Sequence, residues 1–207
     1  GRATGERLGS PAAEQALGPF LNPLEQALDS PADVINRICA GGYSSQFKSV
    51  CGIEACELAN VSAAYDCVGL SVAAYEASPE SNAFTSKFDL SFKGKAKLTQ
   101  QERVGFALFK GKGKCARCHA VTAGGEKSLF TDFTYDNLGI PKNPENPFYT
   151  QSEFNPLGYN WIDLGLGGFL ESRLDYQRYA SANYGKQKVP TLRNVDKWDA
   201  VALGRKV

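Results

Sequence analysis

The sequence predicts a mainly α chain in which long loops gather around one short motif, and three observations carry that expectation. Helix-start signals recur along the first half, and apolar residues behind them repeat at helical spacing. The pentapeptide Cys115-Ala116-Arg117-Cys118-His119 follows directly on a glycine-broken helix. The 207 residues suffice for one large or two small domains, and an apolar fraction of 43% is ordinary for a soluble globular chain. No apolar run approaches the ~20 residues of a membrane span. The net charge of +1 argues against a dedicated nucleic-acid binder. The start, Gly1-Arg2-Ala3-Thr4, is neither a signal peptide nor an initiator methionine, so any targeting segment is expected to be absent from this sequence or already removed.

Taken in order, Ser10-Pro11 supplies an N-cap followed by proline at the first helical position. Asn22-Pro23-Leu24-Glu25 reads as a second start, with Asn22 capping and Glu25 reaching back as in a capping box. Ser30-Pro31-Ala32-Asp33 repeats the signal before Val34, Ile35 and Ile38, which share a helical face, and Gly41-Gly42 ends that helix. A cysteine-bearing loop follows. Asn60 opens a longer helix through Ala64, Val68, Val72 and Tyr75, stopped by Ser78-Pro79. Residues 79–98 read as an irregular connector holding the domain boundary, which divides the chain into 1–84 and 85–207.

Thr99-Gln100-Gln101-Glu102 is another capping box, launching a helix with Val104, Ala107 and Leu108 as its stripe, and Gly111-Lys112-Gly113 breaks it before Cys115. From about 120 to 190 glycine, proline, asparagine and aromatics dominate, with little periodicity. Loops this long fit a compact domain when a cofactor fills the space that side chains otherwise would. Val195, Trp198, Val201 and Ala202 recur at helical spacing and predict a short terminal helix over 195–207.

C-x-x-C-H is the attachment signal of a covalent c-type haem. Cys115 and Cys118 add to the porphyrin vinyl groups, and His119 swings beneath the ring as the proximal iron ligand. A zinc site is the first alternative, but zinc wants about four clustered ligands and His119 is the only histidine in the chain. A thioredoxin-like redox pair is the second, and it has no need of the histidine. Cys39, Cys51, Cys56 and Cys67 remain, and their three pairings are not distinguished by the sequence. Such an even, close set beside a haem motif points to an oxidising compartment such as a bacterial periplasm, against the alternative of four reduced structural thiols. The chain holds no methionine and no second histidine, so neither usual sixth ligand of an electron-transfer haem is available. Water, a tyrosine, a lysine or a residue outside this sequence would take that position.

The order of motifs around this site resembles the bacterial di-haem cytochrome c peroxidase family, which also contains the MauG-type maturation enzymes. Gly1-Arg2-Ala3 and the run Gln15 to Glu25 look like the family's G-R-A and Q-A-x-G-P-x-x-N-P-x-E motifs. Phe84-Thr85-Ser86-Lys87-Phe88-Asp89, Leu98-Thr99 with Glu102, and Gly105 through Phe109 resemble the approach to the family's second haem. Phe130-Thr131-Asp132, Asp136-Asn137-Leu138-Gly139-Ile140-Pro141, Asp163-Leu164-Gly165 and Val189-Pro190-Thr191-Leu192-Arg193-Asn194-Val195 follow in the family's order.

The resemblance implies a cytochrome c-like haem domain with long loops over 85–207, preceded by the helical back half of a first, peroxidatic-type cytochrome c-like domain over 1–84. It implies haem c at Cys115, Cys118 and His119 as the electron-accepting haem, with the peroxidatic haem in sequence not present here. The family's first C-x-x-C-H, its F-W-D before G-R-A and its tail after T-L-R-N are all absent, so the chain is expected to be one part of a longer protein. The rest of that protein, or a homodimer partner, would complete it. Many family members bind calcium between their domains, but the matching ligand stretches are not found here.

Glu25 matches the family's acid–base glutamate, which would move a proton between the two peroxide oxygens, although a carboxylate in a capping box explains it equally. Gln26 stands where the family usually has methionine. Arg193 is a candidate partner for a haem propionate, against a loop-anchoring arginine. Tyr135 and Tyr149 are candidates to approach the haem, with packing the commoner role of such aromatics. Lys93, Lys95, Lys97, Lys110, Lys112, Lys114 and Arg117 could form a basic rim that steers an acidic redox protein, or simply a solvated stretch.

The function these features imply is reduction of hydrogen peroxide to water with electrons from a small cytochrome c or cupredoxin. A non-enzymatic mono-haem carrier and a MauG-type protein-modifying oxidase are the competing functions.

Overall fold

The computed structural model describes residues 3–125 and 127–195. Two compact units divide the chain, Gly1–Ala83 and Phe84–Val207. The architecture is mainly helical, as expected.

In the first unit, α1 (Pro11–Leu21) starts where Ser10 accepts a hydrogen bond from the Ala13 amide. The next expected helix does not form. Asn22 caps only a turn, accepting from the Leu24 amide at 3.0 Å. Ala27 then takes a left-handed φ of 52°, and the Leu28 amide returns to the Phe20 carbonyl at 2.9 Å. A helix cannot pass through a left-handed residue, so the capping-box signature here serves a chain reversal.

Helix α2 (Pro31–Ala40) is capped by Ser30 and buries Val34 and Ile35, with Ile38 half-buried beside them. The cysteine-bearing stretch is not all loop, because α3 (Ser44–Cys51) lies within it. No side chain caps α3, which left little local signal to read. Disulfides join Cys39 to Cys56 and Cys51 to Cys67, so the ends of both short helices are tied by covalent bonds.

Helix α4 (Val61–Glu76) begins after Asn60, whose amide donates to the Glu54 carbonyl instead of capping. Gly69 lets α4 lie directly on α1, since a Cβ there would stand 2.6 Å from the Ala13 carbonyl oxygen. The Tyr65 hydroxyl donates to the Leu17 carbonyl at 2.6 Å across the same seam. Leu17, Val34, Ile35, Ala55, Ala64, Tyr65 and Val68 close the core, while Tyr75 stays exposed.

The second unit opens with α5 (Lys87–Phe92), inside the stretch expected to be an irregular connector. Ser86 and Asp89 form a capping box there, a local signal that the surrounding lysines and Gly94 obscured. Helix α6 (Gln100–Lys110) carries the expected Thr99–Glu102 box. Its inward side differs from the expected stripe: Val104 and Leu108 are exposed, whereas Phe106 and Phe109 pack with Phe88, Phe92 and Phe130.

The long stretch from 120 to 190 is mostly loops and single 3-10 turns. It also holds α7 (Gly165–Glu171) and an antiparallel ribbon of β1 (Tyr135–Asp136) with β2 (Gln187–Lys188), pairing Tyr135 with Lys188. Elements this short leave no readable periodicity. The expected terminal helix lies outside the described residues from Asp196 onward. No helix among the described residues is long and apolar enough to cross a membrane.

Burial divides unevenly. Nine buried apolar residues among those described belong to the first unit, and only Tyr149, Ala180 and Val189 to the second. Phe133, Leu138, Ile140, Leu157, Ile162 and Leu164 of the second unit are all more than a third exposed.

Candidate haem-attachment site

Helix α6 stops at Gly111, and the Gly113 amide then folds back onto the Leu108 carbonyl at 2.8 Å. A Cβ at Gly113 would meet that same oxygen at 2.8 Å, so the tight exit requires glycine. Lys114, at a left-handed φ of 57°, turns the chain into the 3-10 turn Cys115–Arg117. The Cys118 and His119 amides both donate to the Cys115 carbonyl, at 3.3 and 2.9 Å. One turn thus carries both thiols and the imidazole.

Both thiols are free, Cys115 exposed and Cys118 partly covered. Burial, with Asp136 and Asp132 nearby, pushes the Cys118 thiol up, and its sulfur lies 3.8 Å from Asp136 Oδ2. Among the described residues no three His, Cys, Asp or Glu side chains gather as a metal cluster, which gives the zinc alternative no further ligands.

His119 Nδ1 lies 2.9 Å from the Phe130 carbonyl oxygen. A carbonyl only accepts, so Nδ1 carries the proton and Nε2 is the free lone pair, the tautomer that ligates iron. Phe130 reaches this position at a φ of 54°, a conformation costing a non-glycine residue about 1–3 kcal/mol. Its neighbours hold it there. Arg193 Nε donates to the Ser128 carbonyl at 2.8 Å, and Thr191 Oγ1 donates to the Leu129 carbonyl at 2.6 Å. Thr131 Oγ1 donates to the Val189 carbonyl at 2.7 Å, and the Val189 amide donates to the Thr134 carbonyl at 2.8 Å.

The Arg193 guanidinium is engaged by protein partners. Its two terminal nitrogens bind the two oxygens of Asp89 at 2.7 and 2.6 Å, and its plane lies over the rings of Phe84 and Phe130. The loop-anchoring role weighed against propionate binding is the one this geometry supports. Asp89 is buried, and the hydrogen bond from Arg193 draws its pKa from 3.8 down to about 2, with Ser86 adding to the effect against the cost of burial.

A depressed carboxylate pKa stabilises the fold above the unfolded value and loses that contribution as pH falls through the folded one. Asp89 therefore contributes about 2 kcal/mol that is present above about pH 4 and gone near pH 2. Unfolding in urea should show the stability gap between the wild type and Asp89→Asn shrinking by about that amount from pH 5 to pH 2. A gap independent of pH would contradict the pairing.

The remaining candidates scatter. Glu25 sits exposed on the turn after α1, in the first unit, where it does not cap a helix. Tyr149 is buried, its ring 5.2 Å from that of Tyr159, and takes the packing role. Tyr135 is half-buried in β1. The lysines flanking the motif are exposed, with Lys110 Nζ 4.5 Å from the centre of the Phe106 ring.

Sequence reasoning placed Asp89, Phe130, Thr131 and Thr191 only within motifs of the resemblance and gave none of them a role. The Ser86–Asp89 capping box was the one local trace of the first. The contact itself joins residues 104 positions apart, which no local pattern encodes.

A covalent haem fits these residues. Two free thiols and an imidazole of defined tautomer share one turn. Cys115 and Cys118 would hold the porphyrin, and His119 would hold the iron.

Residues 2–97 match the family model described as di-haem cytochrome c peroxidase. The methylamine utilization protein MauG of Paracoccus denitrificans is 34% identical over 185 residues, which is 88% of this chain and 44% of that protein. Cytochrome-c peroxidase IdrP2 of Denitromonas iodatirespirans is 31% identical over 105 residues, 47% of this chain and 26% of its own length. The crystal structure of the diheme peroxidase BthA from Burkholderia thailandensis matches with a TM-score of 0.74 at 30% identity, covering 89% of this chain and 43% of that one. The chain spans less than half the length of the relatives it matches.

Proposed function

Because the chain belongs to the di-haem cytochrome c peroxidase family, we propose that it serves in a protein that reduces hydrogen peroxide to water. Each peroxide takes up two electrons and two protons and leaves as two waters. The electrons come from a small redox protein, a cytochrome c or a cupredoxin. A haem c held at Cys115, Cys118 and His119 supplies a one-electron iron couple at the point of entry. The observation that carries this reading is the His119 tautomer, with Nδ1 committed to the Phe130 carbonyl and Nε2 free beside two open thiols.

The chain's own residues would then act as follows. His119 binds the iron, and the Phe130 carbonyl holds its Nδ1 proton in place. Glu25, exposed on its turn, takes a proton from one peroxide oxygen and returns it to the other in the intact enzyme. The exposed lysines 93, 95, 97, 110, 112 and 114 steer an acidic donor by long-range attraction that salt weakens. Export to the periplasm, or another oxidising compartment, accords with the two disulfides.

The test is peroxide turnover by the intact protein with a reduced donor, after pre-reduction of the entry haem. Donor should be oxidised at two equivalents per peroxide, and no turnover would sink the reading. A MauG-type protein-modifying oxidase is the second reading, favoured by the 34% identity to MauG along 88% of the chain. Peroxide consumed with modification of a partner protein and no donor oxidation would establish it. A haem-to-protein ratio of one in the intact protein would instead indicate a mono-haem carrier.

A further inference from the structure

The Phe130 carbonyl is aimed at His119 by a strap of chain far away in sequence. Residues 189–193 tie down the carbonyls of Ser128 and Leu129 immediately before Phe130, and the hydroxyl of Thr131 immediately after it. Arg193 is the end of that strap, and its side chain also covers the Phe130 ring. Asp89, fixed by the Ser86 capping box in α5, holds the guanidinium with both oxygens. Without Asp89 the guanidinium would find better solvation in water, the Ser128 tie would loosen, and Phe130 could relax from its left-handed conformation.

We infer that Asp89 and Arg193 are positioning residues for the iron ligand, holding the Phe130 carbonyl on His119 Nδ1 and so setting how strongly the imidazole donates to iron. The inference rests on haem attachment at this motif. A firm hydrogen bond at Nδ1 makes the imidazole a stronger donor, and stronger donation favours ferric iron. Loosening the strap therefore favours ferrous iron.

The test uses the intact, haem-loaded protein with Arg193→Gln, Asp89→Asn and Thr191→Val, the last removing an exposed hydroxyl that donates to the Leu129 carbonyl and accepts from the Arg193 amide. Redox titration follows the haem that is lost in a Cys115→Ser/Cys118→Ser variant. In Arg193→Gln the ferric–ferrous balance should move about tenfold toward ferrous, a rise of about 59 mV for one electron. Asp89→Asn and Thr191→Val should move it less, in the same direction. Arg193→Lys should fall between wild type and Arg193→Gln, because an ammonium can meet Asp89 but cannot also serve Ser128 in the same geometry. Thermal unfolding of each variant is measured alongside. A lowered unfolding midpoint with an unchanged potential would overturn the inference and leave a purely structural clamp.

A second readout separates this failure from failure of the haem reading. The His119 ring nitrogens are assigned in the nitrogen-labelled intact protein as the signals missing from a His119→Gln sample. The Nδ1-bound proton should exchange with water faster in Arg193→Gln than in wild type, with or without haem. Equal exchange rates would overturn the positioning role even where haem attachment holds.

Discussion

Serine at both Cys115 and Cys118 is expected to leave this chain with no covalent haem, read as an intact mass lower by one haem than that of the wild type. Either single variant keeps one thiol and therefore one thioether, so the haem should survive denaturation in each single variant and be lost only in the double. The reason is geometric. The two sulfurs and His119 are placed by one turn gathered on the Cys115 carbonyl, and no other free cysteine exists among the described residues to substitute.

The consequence for stability should be confined to one unit. The first unit closes its own core around Ile35, Val34 and Tyr65, whereas the second buries three apolar residues among those described. Limited proteolysis of the double variant should therefore cut within 84–195 and spare the stretch from α1 to α4. Equal protection of both units would show that the second does not depend on the haem for its packing.

The features legible in the sequence were those written locally. Ser10, Ser30 and Thr99 announce their helices because each places a hydroxyl where the third amide of the following helix needs an acceptor. The same local grammar failed at Asn22, where the chain turns back through Ala27, because a capping signature does not determine the backbone conformation of residues beyond its own turn. The haem motif was legible for the same reason as the caps: three reacting groups lie within five residues. Its support was not. The Asp89–Arg193 pair and the Thr191–Leu129 and Thr131–Val189 ties each join positions more than 55 apart. Only the folded chain brings them to Phe130. Burial reversed the reading of α6 as well, since Phe106 and Phe109 outweigh the Val104–Leu108 stripe once Phe88 and Phe130 arrive from elsewhere in the chain.

Loss of the two disulfides should cost the first unit a large part of its stability, because its core is small and α1, α2 and α3 are short. Cys39–Cys56 closes a separation of 17 residues and Cys51–Cys67 one of 16. A closed loop of about that length restricts the unfolded chain by roughly 3 kcal/mol on the loop-entropy account. The loops interlace, since Cys51 lies inside the first and Cys56 inside the second, so the two effects share chain and should sum to less than twice that value. A combined loss of about 4–5 kcal/mol is comparable with the whole stability of many domains, about 5–15 kcal/mol. Guanidinium unfolding followed with and without reductant should therefore show a midpoint that falls sharply on reduction. Cys39→Ala/Cys56→Ala and Cys51→Ala/Cys67→Ala should each reproduce part of the fall. If reduction leaves the midpoint unchanged, the bridges do not support this unit. Since the bridges tie α2, α3 and α4 at Cys39, Cys51 and Cys67, a reducing compartment would release all three helices at once.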